Sequence, residues 1–275
     1  MNTTLVFEKE KVTDRITRIR AFCGELLYLV EGEDRAALID TGSGIGSLKG
    51  YLEKLTKKKL LVLLTHGHID HAMGAAEFED VYMNKEDTYI FRQHSDPSYR
   101  VECLELVQEQ FCAGPEDLIP AIDLERVQDL KEGDRFDLGG ISIEIYACPG
   151  HTRGSVVMLI PEERMLMTGD ACNAFTFLFD DYSTSIAEYE QSLRKLCQKL
   201  DGKYDNILLS HGSGYGYKGL LEDVIQVCED IRHGNVDDVP FSFQGAHGWI
   251  AKAYDPDTGP AKGNIVYSKN RVESV

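Results

Sequence analysis

Hydrophobic and polar positions form short blocks over the first 65 residues, and these blocks predict β-strands separated by turns. Leu60–Leu64 is a continuous apolar run of strand length, which is typical of a strand buried on both faces. An amphipathic stretch from about Ile45 to Lys57 has the spacing of a helix. The strands predicted before it are Ile16–Phe22, Leu26–Glu31 and Ala36–Ile39.

The second half of the chain returns to strands followed by helices. Helical patterns run from about Ser185 to Leu200 and from Tyr217 to His233, with the strand-length run Asn206–Leu209 between them. Between the halves, residues 84–125 have a helical pattern punctuated by prolines. This segment is interpreted either as a lid or substrate wall or as a plain pair of structural helices. The remaining predicted strands are Arg135–Leu138, Ile141–Ala147, Ser155–Ile160 and Met165–Thr168.

Two halves of similar length, each with strands followed by helices, predict an α/β (α+β) fold built as a four-layer αβ/βα sandwich. The 275 residues are enough for one layered domain with a sizeable core. We expect a single domain over residues 1–275, with a helical insertion at about 84–125 and a C-terminal extension at about 234–275.

The charge of the chain argues against nucleic acid as a partner. Its 46 acidic residues outnumber the 29 basic ones, which gives a formal net charge of −17. Nucleic-acid binding draws much of its affinity from Lys and Arg that neutralise phosphates, and no basic arm is evident. We therefore expect a small-molecule substrate and no nucleic-acid partner, while the oligomeric state stays open.

Membrane and disulfide signals are also missing from the sequence. No apolar run approaches the roughly 20 residues that span a bilayer, and the first residues lack the pattern of a signal peptide. We expect no membrane partner and a cytoplasmic location. The seven cysteines are scattered without a C-x-x-C pair, so we expect reduced thiols rather than a disulfide framework or a thiolate zinc site.

The densest chemical signal is the motif His66-Gly67-His68-Ile69-Asp70-His71, which holds three of the eight histidines. Imidazole and carboxylate groups are ligands of zinc and similar divalent ions. If the chain leaves the strand extended, His66 and His68 point to the same side and can bind one ion. If a helix follows, Asp70 and His71 can face a second ion. Gly67 permits a close approach of the backbone to the metals.

Three further residues follow predicted strands in the same way. His151 comes after the strand ending at Ala147, Asp170 after Met165–Met167, and His211 after Leu208-Leu209. Open α/β sheets place their sites at the carboxyl ends of strands, so one rim could gather all of these side chains. His233 and His247 are not expected to be ligands.

With these motifs, the segment from about Leu26 to His211 resembles the metallo-β-lactamase superfamily. The resemblance implies a dinuclear site in which Asp170 bridges two divalent ions. Zinc is the expected metal, and iron and manganese are the alternatives. The resemblance also implies that Asp40 in Ile39-Asp40-Thr41-Gly42 braces the metal loop without ligating, whereas a simple turn is the other reading. The implied ligands are His66, His68 and His151 on the first ion and Asp70, His71 and His211 on the second.

A site of this kind predicts a metal-dependent hydrolase. A hydroxide bridging two divalent metals would attack an ester, thioester, lactone or related small-molecule bond. Asp70 is both a metal ligand and a candidate proton acceptor. No G-x-S-x-G elbow indicates a serine nucleophile. The alternatives are a phosphodiesterase or nuclease of the same fold, an iron-dependent oxidoreductase of the same fold, and a metal-dependent binding or sensing protein.

The residues after Asp170 do not settle the subfamily. Glyoxalase II-like thioesterases typically carry Cys-Gly-Arg there, and the related lactonases a tyrosine at the position of Asn173. Tyr182 or Tyr215 could replace that tyrosine. The apolar run Phe175–Phe179 suits either a substrate with an apolar portion or the core, and the stretch around Phe241–Phe243 either closes over the cleft or packs on the edge.

Overall fold

The computed structural model describes residues 7–111, 113–243, 245–255, 257, 259 and 262–273. The chain divides into two compact units. The first unit comprises Met1–Glu144 and Ser210–Gly214, and the second comprises Ile145–Leu209 and Tyr215–Val275. The expected single domain, with its insertion and C-terminal extension, stays a prediction.

The first unit contains a seven-stranded sheet in which the strands follow one another in chain order. Its first four strands are antiparallel, and the later strands pair in parallel from β4 onward. Parallel neighbours require crossover connections, and the helices of this unit lie in those connections. The strands are β1 Glu8–Lys11, β2 Ile16–Arg20, β3 Leu26–Glu31, β4 Arg35–Ile39, β5 Lys59–Leu63, β6 Val81–Met83 and β7 Val127–Asp129.

One of these helices is shorter than its pattern predicted. The helix expected over about Ile45 to Lys57 covers only Leu48–Leu52. Ser47 caps it by accepting a hydrogen bond from the Gly50 N–H, and a glycine inside a helix weakens its continuation. The helices of this unit are α1 Leu48–Leu52, α2 Ile69–Ala72, α3 Thr88–His94 and α4 Pro97–Phe111.

The remaining strands form the second unit and its connection to the first. β9 continues from the first unit, where it pairs with β8, into the second, where the order is β9-β10-β11-β13-β14. β10 and β11 are antiparallel, and β11 and β13 are parallel. The strands are β8 Arg135–Asp137, β9 Ser142–Ala147, β10 Val156–Ile160, β11 Met165–Met167, β12 Phe175–Leu178, β13 Asn206–Leu208, β14 Tyr215–Gly216, β15 Val239–Phe243, β16 Ala246–Ile250 and β17 Asn264–Tyr267.

A four-stranded sheet in the order β12-β17-β16-β15 completes the second unit. β12 is parallel to β17, and the other two pairs are antiparallel. One face of this sheet contributes Leu178, Ile265 and Tyr267 to the main core of the unit. The strand pattern of β12 and of the hairpin β15–β16 was not predicted as such from the sequence.

Two long amphipathic helices cover that core, α5 Ile186–Leu200 and α6 Leu220–Arg232. The side chain of Ser185 accepts a hydrogen bond from the Glu188 N–H, and Glu188 bonds back to the Ser185 backbone. This reciprocal capping explains why the helix begins where the sequence pattern placed it. The short 3₁₀ helices of the chain are Ala75–Glu77, Lys85–Asp87, Pro115–Asp117, Leu124–Arg126, Pro161–Glu163 and Lys269–Arg271.

The described cysteines are free thiols, as predicted, and Cys112 lies outside the described residues. Within the described ranges, no helix has both the length and the apolar character that a bilayer crossing requires.

Candidate metal centre

The first group of predicted ligands lies at the carboxyl edge of the parallel strands of the first unit. β4 ends at Ile39 and β5 at Leu63. The Asp40 N–H donates to the Leu63 carbonyl, which places Asp40 beside the segment that leads into His66. Strand polarity therefore brings two residues that are far apart in sequence to one edge.

His66 and His68 present ring nitrogens to each other. The distance between His66 Nε2 and His68 Nδ1 is 3.0 Å, and both side chains are buried. His68 has extended backbone geometry, with φ −70° and ψ 160°, and it forms the N-cap of α2. The extended exit from β5 and the helix after it agree with the sequence expectation. Two imidazole nitrogens this close can share one divalent ion.

A second group forms around Asp70. Asp70 Oδ2 lies 3.5 Å from His71 Nε2 and 3.4 Å from His211 Nε2. Helix α2 carries Asp70 and His71, whereas His211 belongs to the short return segment Ser210–Gly214. That segment is held by β3, because the Leu26 N–H donates to the Ser210 carbonyl at 2.8 Å. The three ligand atoms lie within 4.8 Å of one another.

Asp40 connects the metal loop to the strand edge through its carboxylate. Oδ1 accepts from the Thr65 N–H at 2.7 Å, and Oδ2 lies 2.8 Å from both Thr65 Oγ1 and His71 Nδ1. Asp40 has a φ of +61°, a conformation in which Asp is tolerated better than most residues. Because Asp40 accepts from His71 Nδ1, Nε2 is the ring atom directed at Asp70. These contacts hold the loop that carries His66 and His68 against the end of β4, and the expected role of Asp40 toward a metal stays a prediction.

Gly67 allows a close approach of the backbone to the turn before α3, and its expected approach to metals stays a prediction. A Cβ at this position would lie 3.0 Å from both the Asp87 carbonyl oxygen and Ile90 Cγ2. The Gly67 N–H donates to Asp87 Oδ2 at 2.9 Å. The turn that leads into α3 therefore packs directly against the loop carrying His66 and His68.

His94, at the end of α3, was not predicted as a site residue. It lies against His68 and the start of α2. Its Nδ1 accepts from the Ile69 N–H at 3.1 Å, at the start of α2. Its ring stacks on His68 with centroids 4.9 Å apart and on Tyr99 at 4.8 Å. His94 is buried. No motif spacing links a helical histidine to a distant loop, so only the packing of α3 could have identified it.

Replacing His94 with phenylalanine is expected to weaken zinc binding about tenfold, because an outer hydrogen bond that orients the ligand loop is lost. Phenylalanine keeps a ring for stacking but leaves the Ile69 N–H without its acceptor. The measurement is competition for zinc against a calibrated chelator. His94→Asn is the matched control, since its amide oxygen can replace Nδ1. Equal zinc affinity of His94→Phe and the unmodified protein would contradict this role.

The second unit holds the other two predicted ligands. His151 Nε2 lies 3.9 Å from Asp170 Oδ2, and His151 Nδ1 lies 2.8 Å from the Phe177 carbonyl oxygen. The carbonyl can only accept, so His151 carries its proton on Nδ1 and directs Nε2 at Asp170. Asn173 Nδ2 lies 3.4 Å from Asp170 Oδ1.

Two features shape the loop before His151. A Cβ at Gly150 would lie 2.1 Å from the ring of Tyr189, so only glycine lets this loop cross α5. The Ser183 hydroxyl donates to the His151 carbonyl at 2.9 Å. His151 is thus held from both its side chain and its backbone.

Burial raises the pKa of two acidic side chains, Cys23 in the first unit and Asp180 in the second. Burial, with a smaller contribution from Glu25, raises the pKa of the Cys23 thiol to about 12. That thiol is neutral near pH 7, so Cys23 does not supply a thiolate as a further metal ligand beside the histidines of the first unit. Burial also raises the pKa of Asp180 above its usual range, against a hydrogen bond from Tyr182. Tyr182 donates its hydroxyl proton to Asp180 Oδ2 at 2.9 Å.

The first unit thus brings together His66, His68, Asp70, His71 and His211, and the second unit brings together His151 and Asp170. His233 is exposed, with Nδ1 2.8 Å from the Glu229 carbonyl, and His247 pairs with Ser242. The ligand set of seven residues as a whole stays a prediction.

Comparison with known proteins adds family information. A family model described as the metallo-beta-lactamase superfamily matches residues 21–211. A metallo-beta-lactamase family protein from Thermus thermophilus is 19% identical, with a TM-score of 0.57, over 86% of this chain and 84% of that one. This likeness confirms the predicted fold class, an α/β sandwich of the metallo-β-lactamase type.

Curated relatives match at low to moderate identity. An uncharacterized protein of Mycobacterium tuberculosis is 35% identical over 148 residues, which cover 49% of this chain but only 61% of that protein. The acyl-coenzyme A thioesterase MBLAC2 of Gallus gallus is 24% identical over 70% of this chain and 74% of its own length. The hydroxyacylglutathione hydrolase GloC of Haemophilus influenzae is 26% identical over 72% of this chain and 89% of its own.

Proposed function

The chain belongs to the metallo-β-lactamase superfamily, and on that premise we propose that it is a metal-dependent hydrolase that cleaves an acyl thioester. In this reaction water adds to the thioester carbonyl, the carbon–sulfur bond breaks, and a carboxylic acid and a thiol are released. The observation that carries the proposal is the convergence of Asp70 with His71 and His211 beside the pair His66 and His68.

The residues of the first unit fit divalent metal ions by the chemistry of their donor atoms. They offer imidazole nitrogens and one carboxylate, a donor set that suits zinc and also iron or manganese. His71 is oriented through its outer nitrogen by Asp40, and metal-binding histidines almost always have such a partner. The ring pair His66 and His71, with centroids 4.0 Å apart, brings the two donor groups next to each other.

We propose the full set of seven ligands that the family resemblance implies. His66, His68 and His151 would hold one ion, Asp70, His71 and His211 the other, and Asp170 would bridge them. When bound, two such ions would lower the pKa of a bound water so that hydroxide forms near neutral pH, and they would polarise the carbonyl oxygen of the substrate.

The chain's own residues have orienting and proton-handling roles in this proposal. Asp40 keeps His71 in one tautomer, and the Phe177 carbonyl does the same for His151. The side chain of Asp70 is one-third exposed, so its carboxylate can exchange a proton with solvent. It is accordingly the proposed proton acceptor as well as a ligand.

Two relatives favour a thioester among the bonds that such a site can cleave. One is named an acyl-coenzyme A thioesterase and the other a hydroxyacylglutathione hydrolase. The missing Cys-Gly-Arg element after Asp170 counts against glutathione specificity, since this chain has Ala171-Cys172-Asn173. The net charge of −17 counts against the nuclease alternative.

The test combines metal analysis with a substrate panel. We expect two divalent ions per chain and hydrolysis of acyl-coenzyme A thioesters, followed by release of the free thiol. Treatment with a chelator should remove the activity, and zinc should restore it. The same panel should contain lactones, carboxylic esters and phosphodiesters.

The other outcomes separate the alternatives. Phosphodiester cleavage without thioester cleavage would favour the nuclease. Bound iron with oxygen uptake would favour the oxidoreductase, and metals without turnover would favour a binding or sensing protein. Each of these results would overturn the thioesterase proposal.

A further inference from the structure

One face of the four-stranded sheet in the second unit is lined by phenylalanines. Their ring centroids form a connected series, with Phe177 at 5.3 Å from Phe179, 5.4 Å from Phe241 and 5.8 Å from Phe243. Phe175 packs against the same hydrophobic cluster, and its ring centroid lies 4.8 Å from that of Tyr254. We call Phe175, Phe177, Phe179, Phe241 and Phe243 the phenylalanine face.

This face is apolar where a sheet usually has polar residues. The opposite face of the sheet joins the main core, to which β12 contributes the buried Leu178. A sheet with one face on the core commonly turns polar side chains outward on its other face. Here Phe175, Phe177 and Phe241 are only partly buried, and Phe243 is 48% exposed.

The sheet is built to keep these rings together. Val266 of β17 and Ile250 of β16 lie beneath them and are buried. Gly248 of β16 leaves room for Phe179, because a Cβ there would lie 3.0 Å from the Phe179 Cβ. Ser242, the polar residue of β15, points the other way, is exposed and pairs with His247.

The phenylalanine face begins at a proposed metal ligand. The backbone carbonyl of Phe177 lies 2.8 Å from His151 Nδ1. The strand that carries Phe175 and Phe177 is therefore fixed directly to the side chain that would hold one ion. This hydrogen bond is the link between the phenylalanine face and the proposed metal site.

We propose that the phenylalanine face binds the acyl chain of the thioester, and that the enzyme therefore prefers medium and long unbranched acyl groups. This inference rests on the proposed function and specifies its substrate class. An acyl chain matches the face because both lack charge, and because a row of rings offers a continuous apolar strip. A substrate with a short or charged acyl group gains nothing from it.

The preference should appear as a dependence on chain length. Each added methylene should raise kcat/KM about fourfold until the strip is filled, which corresponds to about 0.8 kcal/mol per buried methylene. The series runs from acetyl- to dodecanoyl-coenzyme A, with the metal-loaded chain of 275 residues.

Phe243 is the position chosen for substitution. Because its side chain is about half exposed, replacing it should not unfold the protein. Phe243→Ser should lower kcat/KM for decanoyl-coenzyme A about tenfold, mainly through KM, and leave acetyl-coenzyme A within about twofold. Phe243→Leu keeps an apolar side chain and should retain most of the long-chain activity. Ser242→Ala, on the other side of the same strand, is the matched control and should behave like the unmodified protein.

A binding measurement avoids dependence on turnover. Chelator-treated protein should bind a dansyl-labelled undecanoic acid, detected by fluorescence, and Phe243→Ser should weaken that binding about tenfold. Hydrolysis of thioesters with no dependence on chain length, or with equal kinetics for Phe243→Ser, would overturn this inference alone. Absence of hydrolysis for every thioester would overturn the proposed function, even if the probe binds.

Discussion

Replacing His68 with alanine is expected to lower thioester hydrolysis by at least about 1,000-fold, because a poorly held ion no longer makes water acidic near neutral pH. His68 Nδ1 faces His66 Nε2 at 3.0 Å, and its ring lies between those of His66 and His94. Removing the His68 ring takes away a proposed metal-binding nitrogen and the ring contacts with His66 and His94. The measurements are kcat/KM on the best substrate and the number of metal ions per chain.

The control for this experiment is another histidine that is not a proposed ligand. His233 is exposed near the end of α6, and its Nδ1 bonds to the Glu229 carbonyl of its own helix. His233→Ala should keep both the metal content and the activity. Full activity of His68→Ala, or equal losses in the two variants, would show that the ligand assignment is wrong.

Replacing Asp40 with alanine is expected to have the largest effect on stability, a decrease of about 3 kcal/mol in the free energy of unfolding. The carboxylate is buried and accepts hydrogen bonds from the Thr65 N–H, the Thr65 hydroxyl and His71 Nδ1. Alanine removes this shared acceptor from a buried place, and it adopts a φ of +61° unfavourably. Urea denaturation of the metal-free protein measures this loss.

Asp40→Asn separates the backbone effect from the effect on the metal. Asparagine tolerates the positive φ and keeps one acceptor oxygen, so it should destabilise less than alanine. It removes the negative charge behind His71, so zinc affinity should still fall about 10- to 100-fold. Chelator competition gives the affinity. If Asp40→Asn bound zinc as tightly as the unmodified protein, Asp40 would have no role beyond the turn.

The elements best predicted from the sequence are those defined by local periodicity. β3 has the predicted bounds Leu26–Glu31, and α5 follows Ser185, where the pattern began. Both carry long apolar patterns and, for α5, a capping residue whose partner is three positions away. α1 was predicted too long, because its apolar spacing continues past the residue at which the hydrogen-bonded helix ends.

The short strands show the limit of pattern reading. β6 and β7 have three residues each, and they are strands because they pair with neighbouring strands of the sheet. The run Phe175–Phe179 left two readings open, and its strand β12 is defined by a parallel partner, β17, from the end of the chain. Alternation over so few residues carries little information about which partner exists.

By itself, the sequence gathered four proposed metal ligands in one loop, because His66, His68, Asp70 and His71 lie within six positions and their directions follow from a strand end and a helix start. It also determined the fold class, through two successive sets of strands and helices.

Only the tertiary structure decided which distant groups contact those proposed ligands. Asp40 reaches His71 because β4 and β5 are parallel neighbours, His94 reaches Ile69 because α3 packs on the loop, and His211 reaches Asp70 because its segment is held by β3. Each of these contacts depends on how separate elements pair and pack. Local periodicity along the chain carries no record of that pairing.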